Sequence, residues 1–206
     1  NTGRLFENSI GLNGGEGNTT FNVTMSNVNH LGYVENSSYI RNNISVGGQT
    51  KVKNLTLGAS IAYTKSKQKG GFFGQVQSFT TQFGRTLIGG RSWNIPGFPS
   101  QDRAGRPLAF IAGQYTNPIW GAYHNTITTL DDRIVANFRA SYKFNNWVTV
   151  NYNFGANNSR VSRDEIIDEF SPGVGNGLGQ ITEDFFRSQE IQSTLVAVFT
   201  PKIGKN

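Results

Sequence analysis

Alternation of apolar with polar residues, repeated in seven stretches of about ten positions, limits what this chain can fold into more than any other feature. The clearest stretch sets Leu55, Leu57, Ala59, Ile61 and Tyr63 on one face, with Thr56, Gly58, Ser60, Ala62 and Thr64 on the other. Phe21, Val23 and Met25 against Asn22, Thr24 and Ser26 repeat the pattern. So do Ile134, Ala136, Phe138, Ala140, Tyr142 and Phe144, and then Val148, Val150, Tyr152, Phe154 and Ala156. A period of two belongs to strands, whose successive side chains point to opposite faces, and not to helices. One face suits lipid and the other suits water, which is how the wall of a membrane β-barrel reads.

Composition agrees with strand spans and excludes helical ones. Of the 206 residues 36% are hydrophobic, the mean hydropathy is −0.40, and no run approaches the roughly 20 apolar residues of a spanning helix. Spanning strands need only about 9 to 11 residues and hide from hydropathy, because every second side chain faces the lumen. Cysteine is absent, which excludes a disulfide scaffold. The chain opens at Asn1 in strand context, with no charged-then-apolar leader, and so is expected to be a piece of a longer polypeptide. The net charge of +6 is scattered along the chain, with no clustered stripe that would suggest nucleic acid.

Short and long connections take turns. The first strand, about Leu5 to Gly14, places Phe6, Ile10 and Leu12 on one face and turns through a glycine-rich segment into a second strand at about Thr19 to Val28. A medium loop around His30 to Ser38 leads to a third strand with Ile40, Ile44 and Val46 outward. A short turn at Lys51 to Asn54 opens the fourth, expected to end near Lys65. A very long loop, about 66–132, is rich in glycine, aromatic residues and proline. Asn145-Asn146 makes the third short turn, a second long loop spans about 157–187, and Pro201-Lys202 would begin a fourth short turn. Within that second loop, Ser162-Arg163-Asp164-Glu165 has the form of a capping box and predicts a short helix over Arg163 to Glu169. A soluble β-sandwich also alternates but mixes its loop lengths at both ends, whereas a membrane barrel puts short turns at one rim and long loops at the other. The aromatic residues Tyr63, Tyr142, Phe144, Trp147 and Phe199 lie near strand ends, where interface girdles belong.

Several segments, in order, resemble the SusC/RagA family of TonB-dependent outer-membrane transporters over most of the chain. They are Ile10-Gly11-Leu12-Asn13-Gly14-Gly15 with Thr20 to Asn27, Gly32-Tyr33 to Arg41-Asn42-Asn43, and the strand Leu55 to Tyr63. Asn117-Pro118-Ile119-Trp120-Gly121-Ala122-Tyr123 follows, then Asp131-Asp132-Arg133 and Asn145-Asn146-Trp147-Val148-Thr149-Val150. The resemblance implies an all-β, antiparallel wall of about seven strands from a larger, 22-stranded outer-membrane barrel. Residues 1–206 would be a fragment of that one domain, without its N-terminal plug. It further implies import of glycan fragments or oligopeptides into a Bacteroidetes-type periplasm. The implied partners are a SusD-like surface lipoprotein, the TonB complex acting through regions outside this chain, membrane lipid, and an oligosaccharide or peptide substrate. Two other functions fit the pattern: a secreted or surface β-sandwich that binds carbohydrate, and a passive porin.

The chain shows little chemistry. His30 and His124 lie far apart without metal-ligand neighbours, and no nucleophile and base stand in a recognisable motif, so no enzyme, metal or cofactor is expected. The run Gly173, Gly175, Gly177, Gly179 lacks dinucleotide-binding spacing. Asp164, Glu165, Asp168 and Glu169 read as a wet helix face rather than a calcium site. The sequons at Asn22, Asn43 and Asn54 fall in or beside strands. Phe72, Phe73, Arg91, Trp93, Asn94, Trp120 and Tyr123 in the long loop form the candidate group for binding substrate or lid. Aromatic faces stack on sugar rings or peptide side chains, and Arg and Asn supply directed hydrogen bonds. The same aromatics could equally make a small core for the loop itself.

Overall fold

The structure, a computed structural model, describes residues 2–71, 86, 90, 92, 94–108, 117–171 and 177–201. Seven strands run in chain order: β1 (Arg4–Glu16), β2 (Thr19–Leu31), β3 (Ser38–Val52), β4 (Leu55–Gly71), β5 (Thr126–Lys143), β6 (Val148–Ile167) and β7 (Gln180–Phe199). They form one antiparallel sheet in the order β1-β2-β3-β4-β5-β6-β7. A single sheet with every neighbour next in sequence is a meander, and it sets aside the two-sheet sandwich. Among the described residues between β4 and β5 are a 3-10 turn (Ile95–Gly97) and the short helix α1 (Pro118–His124).

The register stacks the alternation of every strand into a common pair of faces. Rows of directly paired residues read Leu12, Val23, Val46, Ile61, Ala136, Ala156, Ile191 and Ile10, Met25, Ile44, Tyr63, Ile134 on one face. The opposite face reads Asn13, Asn22, Gly47, Ser60, Asn137, Gly155, Gln192. Among the described residues nothing covers the apolar face: Ile10 is 70% exposed, Leu195 71% and Phe199 61%. The buried hydrophobic residues among those described are Val28, Trp120 and Ala122, far too few to hold a water-soluble domain of this size together. The sheet instead carries its hydrophobic surface outward, as lipid-facing walls do.

The hairpins also record a tilt. Glu16 and Thr19 close the first turn in a row with Thr50 and Leu57, whereas the second turn closes two residues further along, at Val52 and Leu55 beside Tyr142. The third closes a further two residues along, where the Phe144 N–H donates to the Val148 carbonyl. One residue of stagger per strand, at about 3.3 Å rise and about 4.8 Å between strands, corresponds to a strand tilt of about 35°, within the range of closed barrels. The apolar row from Ile134 on β5 to Phe144 just past its end extends about 27 Å along the barrel axis at that tilt, close to the height of the apolar band of outer-membrane barrels. Tyr142 and Phe144 meet edge to face at 4.7 Å and Trp147 lies 6.4 Å from Phe199, so aromatic rings gather at the short-turn rim.

Local chemistry builds each turn. Gly17, with φ of 57°, and Lys53, with φ of 53°, take the left-handed conformation that lets a two-residue turn match the twist of its strands. At the third turn Asn145 Oδ1 accepts from the N–H groups of Trp147 and Val148, at 3.0 and 2.9 Å, a side-chain mimic of a backbone turn.

Strand lengths correct the sequence-based expectation. β4 continues to Gly71, so the long connection is 72–125 and not 66–132. β6 continues through the segment expected to be helical, so the second connection is 168–179 and not 157–187. Arg163 to Ile167 are strand, paired with Gln180 to Asp184. The reason is physical: at 20 residues β6 and β7 are about twice as long as a span requires. Beyond the apolar rows both faces carry polar residues, so alternation fades while the ladder goes on. The expected fourth turn at Pro201-Lys202 lies partly outside the described residues.

Two pairs of substitutions in the full-length protein test this architecture. Phe138→Arg, mid-band on the apolar face, should destabilise the membrane-inserted fold by about 2–4 kcal/mol, whereas Asn137→Arg on the polar face should cost close to nothing; equilibrium unfolding in lipid measures both. A side chain at Gly15 would put its Cβ 2.5 Å from the Thr19 carbonyl oxygen, while one at Gly11 meets nothing within 4 Å. Gly15→Ala should therefore cost about 1–3 kcal/mol, and Gly11→Ala should be neutral or stabilising in the same assay.

Candidate functional site

The polar face is built from short side chains. Asn, Ser, Thr, Gln and Gly dominate its rows, and two arginines of β5 project from it. Small residues leave room for water and solute: a hollow of about 610 Å³ lies over β3 to β7, lined among others by Gln49, Ser60, Asn137, Arg139, Asn153 and Gln192. Side chains here bond across strands. Arg133 Nε donates to Asn157 Oδ1 at 2.9 Å, and Asn157 Nδ2 donates to Glu190 Oε2 at 3.3 Å. Arg139 Nε donates to Asn153 Oδ1 at 3.2 Å, and Thr64 Oγ1 donates to Asn43 Oδ1 at 2.8 Å. Such a surface offers donors and acceptors of both signs without a deep, fixed pocket, which suits passage and transient contact more than tight capture.

At the long-loop rim three connections are tied together around α1. Asn117 caps the helix, its Oδ1 accepting from the N–H groups of Ile119 and Trp120 at 2.9 and 3.3 Å, and Pro118 at the first helical position needs no N–H partner. Trp120, 1% exposed, donates its indole N–H to the Gly105 carbonyl at 2.9 Å and stacks on His124 at 4.2 Å. The Gly105 carbonyl is presented by a turn in which Asp102 Oδ1 accepts from the N–H groups of Ala104 and Arg106. His124 Nδ1 lies 2.9 Å from Asp168 Oδ2. Asn125, fully buried, accepts on Oδ1 from the Asp168 N–H and from Ser171 Oγ. Asn36, from the β2–β3 connection, donates to the Ala122 carbonyl at 2.9 Å, and the Arg106 guanidinium lies over the Phe170 ring at 5.6 Å.

Three members of the aromatic group expected from the sequence, Asn94, Trp120 and Tyr123, fall within the described residues. Phe72, Phe73, Arg91 and Trp93 lie outside the described residues. Trp120 is interior to the α1 cluster and both its ring face and its N–H are taken, as a loop core requires. Asn94 caps the 3-10 turn, its carbonyl accepting from the Gly97 N–H at 3.0 Å. Tyr123, on α1, is 56% exposed and offers its ring to whatever occupies the rim. The residues missed by sequence reasoning are the inward arginines, Asn137, Asn153, Asn157 and Glu190, and the clasp of Asn36, Asn125, Asp168 and Ser171. Strand parity was the available signal for the inward set, since the face opposite each apolar row lines the interior. The clasp carries no comparable signal.

Among the described residues the acidic, histidine and hydroxyl side chains at the rim are engaged in structural contacts. His124 and Asp168 pair, but Ser171 donates to Asn125 and the imidazole face is covered by Trp120, so the pair serves as a clasp between loops. Asp164 and Glu165 point to opposite faces of β6, and Glu165 pairs with Arg163. No group of His, Cys, Asp and Glu able to hold a metal occurs among the described residues.

Removing the clasp should loosen the rim and spare the wall. Asn125→Ala leaves the Asp168 N–H and Ser171 hydroxyl without their acceptor and should lower the local opening free energy of 117–125 and 168–171 by about 1–3 kcal/mol. Hydrogen exchange measures it, with protection of the strand amides below the rim unchanged.

Comparison with known proteins places the fold. No sequence family and no curated protein matches this chain. In three dimensions it is similar to a chain of the RagAB peptide importer, solved in its closed-closed state. The TM-score is 0.76 at 16% sequence identity, over 97% of this chain and 22% of that one. At that identity the likeness speaks for fold alone, and this chain spans under a quarter of the length of the protein it matches. Sheet order, register, apolar exterior and this likeness together make the chain an all-β, antiparallel barrel-wall segment.

Proposed function

We propose that this chain is part of the wall of a SusC/RagA-type, TonB-dependent importer in the outer membrane, and that the protein takes up oligopeptides or glycan fragments without covalent chemistry. The observation that carries this is the continuous apolar band of about 27 Å on one face, backed by a polar face that bonds across strands. A sheet with such a face satisfies its backbone in hydrocarbon only when its edges are closed. β1 and β7 are the edges of this sheet, so further strands of the parent barrel would pair with them. Likeness of fold to a peptide importer adds support. The short turns would face the periplasm and the long connections the exterior, where a SusD-like lipoprotein would act as lid. TonB coupling would come through a plug outside this chain. Exposed Tyr123, together with Phe72, Phe73, Arg91, Trp93 and Asn94, would meet substrate or lid, with Trp120 holding α1 in place.

Uptake of labelled oligopeptides and of oligosaccharides by cells carrying or lacking the parent gene tests this. Accumulation of one class that depends on the gene and stops when the proton gradient is collapsed is the expected result. Uptake indifferent to the gradient would identify a passive porin, and recovery of the full-length protein in the soluble fraction would overturn the membrane reading. Tyr123→Ala and Trp93→Ala should each lower uptake about three- to tenfold, the worth of one aromatic stacking contact.

A further inference from the structure

Directly above the apolar band, the outward face of β4 carries three lysines in succession. Lys65, Lys67 and Lys69 share the face of Ile61 and Tyr63 and lie on the long-loop side of them. Their row partners on β3 are Asn42, Ile40 and Ser38, and on β5 they are Asp132, Leu130 and Thr128. Only Lys65 thus faces an acid, and that acid's Oδ1 already accepts from the Tyr63 hydroxyl at 2.6 Å. The ion pairs found among the described residues, His124 with Asp168 and Arg163 with Glu165, involve none of the three lysines. Arg160 and Arg187 extend the row of Lys65 across β6 and β7, while Asp164 and Glu183 lie in the row of Lys69. Positive charge is therefore concentrated low, next to the apolar band.

Immediately below these lysines the same face is hollow. A depression of about 540 Å³ is lined by Ile10, Met25, Ile44 and Tyr63, with Asn8, Asn27 and Asn42 along its upper edge. Asn27 Nδ2 donates to Asn42 Oδ1 at 2.7 Å, which holds that polar edge in place. An apolar hollow roofed by amides and followed at once by unpaired ammonium groups is complementary to one kind of occupant, an amphiphile with a hydrocarbon tail and an anionic head.

The geometry points to a binding site on the outer wall for a phosphorylated acyl lipid of the outer leaflet. A chain would lie between Ile10, Met25, Ile44 and Tyr63, and the phosphate would meet Lys65, Lys67 and Lys69. The inference rests on the membrane-wall reading of the preceding subsection and goes beyond it. Wall lipid is otherwise interchangeable solvent, and this site selects by head group. Three lysines in successive rows of one face of β4 give a local positive field that a zwitterionic lipid does not satisfy.

Native mass spectrometry of the full-length protein, extracted from outer membranes and offered phosphatidic acid against phosphatidylcholine of the same acyl length, decides it. The wild-type protein should retain phosphatidic acid about tenfold over phosphatidylcholine. K65Q/K67Q/K69Q, which changes only surface groups, should abolish that preference. Met25→Trp, which fills the hollow, should reduce retention of both lipids, and Lys143→Gln at the opposite rim should change nothing. Equal retention of the two lipids by the wild type, a preference that survives the triple substitution, or full displacement by excess inorganic phosphate would each overturn the site. Failure of the wall reading itself looks different: the protein would then be recovered without detergent and without bound lipid.

Discussion

Everything in this structure hangs on one ladder of backbone hydrogen bonds that runs without a break across seven strands. Hydrocarbon supplies no partner for an N–H or a carbonyl, and each one left open costs several kcal/mol, so a spanning sheet must pair every strand with its neighbour. Once the ladder is fixed, side chains have no further choice of face. A shift of one residue in any strand would turn its entire apolar row into the polar interior. The alternation that each strand carries is therefore what locks the register of the next, from Leu12 opposite Val23 to Ala156 opposite Ile191.

The same ladder explains why the sheet lacks an ordinary core. Its apolar side chains point outward rather than packing against one another, and small residues dominate its inward face. Gly47 shows the second requirement: a Cβ there would sit 2.8 Å from Asn22 Oδ1 and 3.3 Å from the Ser60 Cβ. The close-packed part of the described structure is instead above the wall, where Trp120, Ala122, Asn125 and Ser171 are almost wholly buried. Out of the lipid, water competes for every hydrogen bond, and loops hold their shape only by burying something. The α1 cluster does so with one tryptophan and a set of amides that tie the β2–β3, β4–β5 and β6–β7 connections into one body.

The wall was legible because its physics is local in sequence. Phe6, Ile10 and Leu12, or Leu195, Ala197 and Phe199, announce their face to anyone who counts by two, and the turn chemistry of Gly17 and Asn145 marks where the direction reverses. Strand ends were less legible. Val161 to Ile167 continue β6 with polar residues on both faces, and Ser162-Arg163-Asp164-Glu165 carries a helix-start pattern that pairing with Gln180 to Asp184 overrides. The α1 cluster was hardly legible at all. Asn36, Gly105, Asn125 and Ser171 are ordinary loop residues, separated by up to 86 positions where Asn36 meets Ala122, and nothing in their neighbours marks them as partners.

The sequence by itself determined the number of strands, the two faces and the rim that carries the short turns, because a strand whose two faces meet different surroundings carries a two-residue period that no later folding step can alter. Only the tertiary structure decided how far the strands climb beyond the membrane, which aromatic residue of the long connection is interior and which is exposed, and where lysines stand above an apolar hollow. Those features depend on which strand lies beside which, and at what stagger. Adjacency across strands is a property of the paired sheet, and no single stretch of the chain contains it.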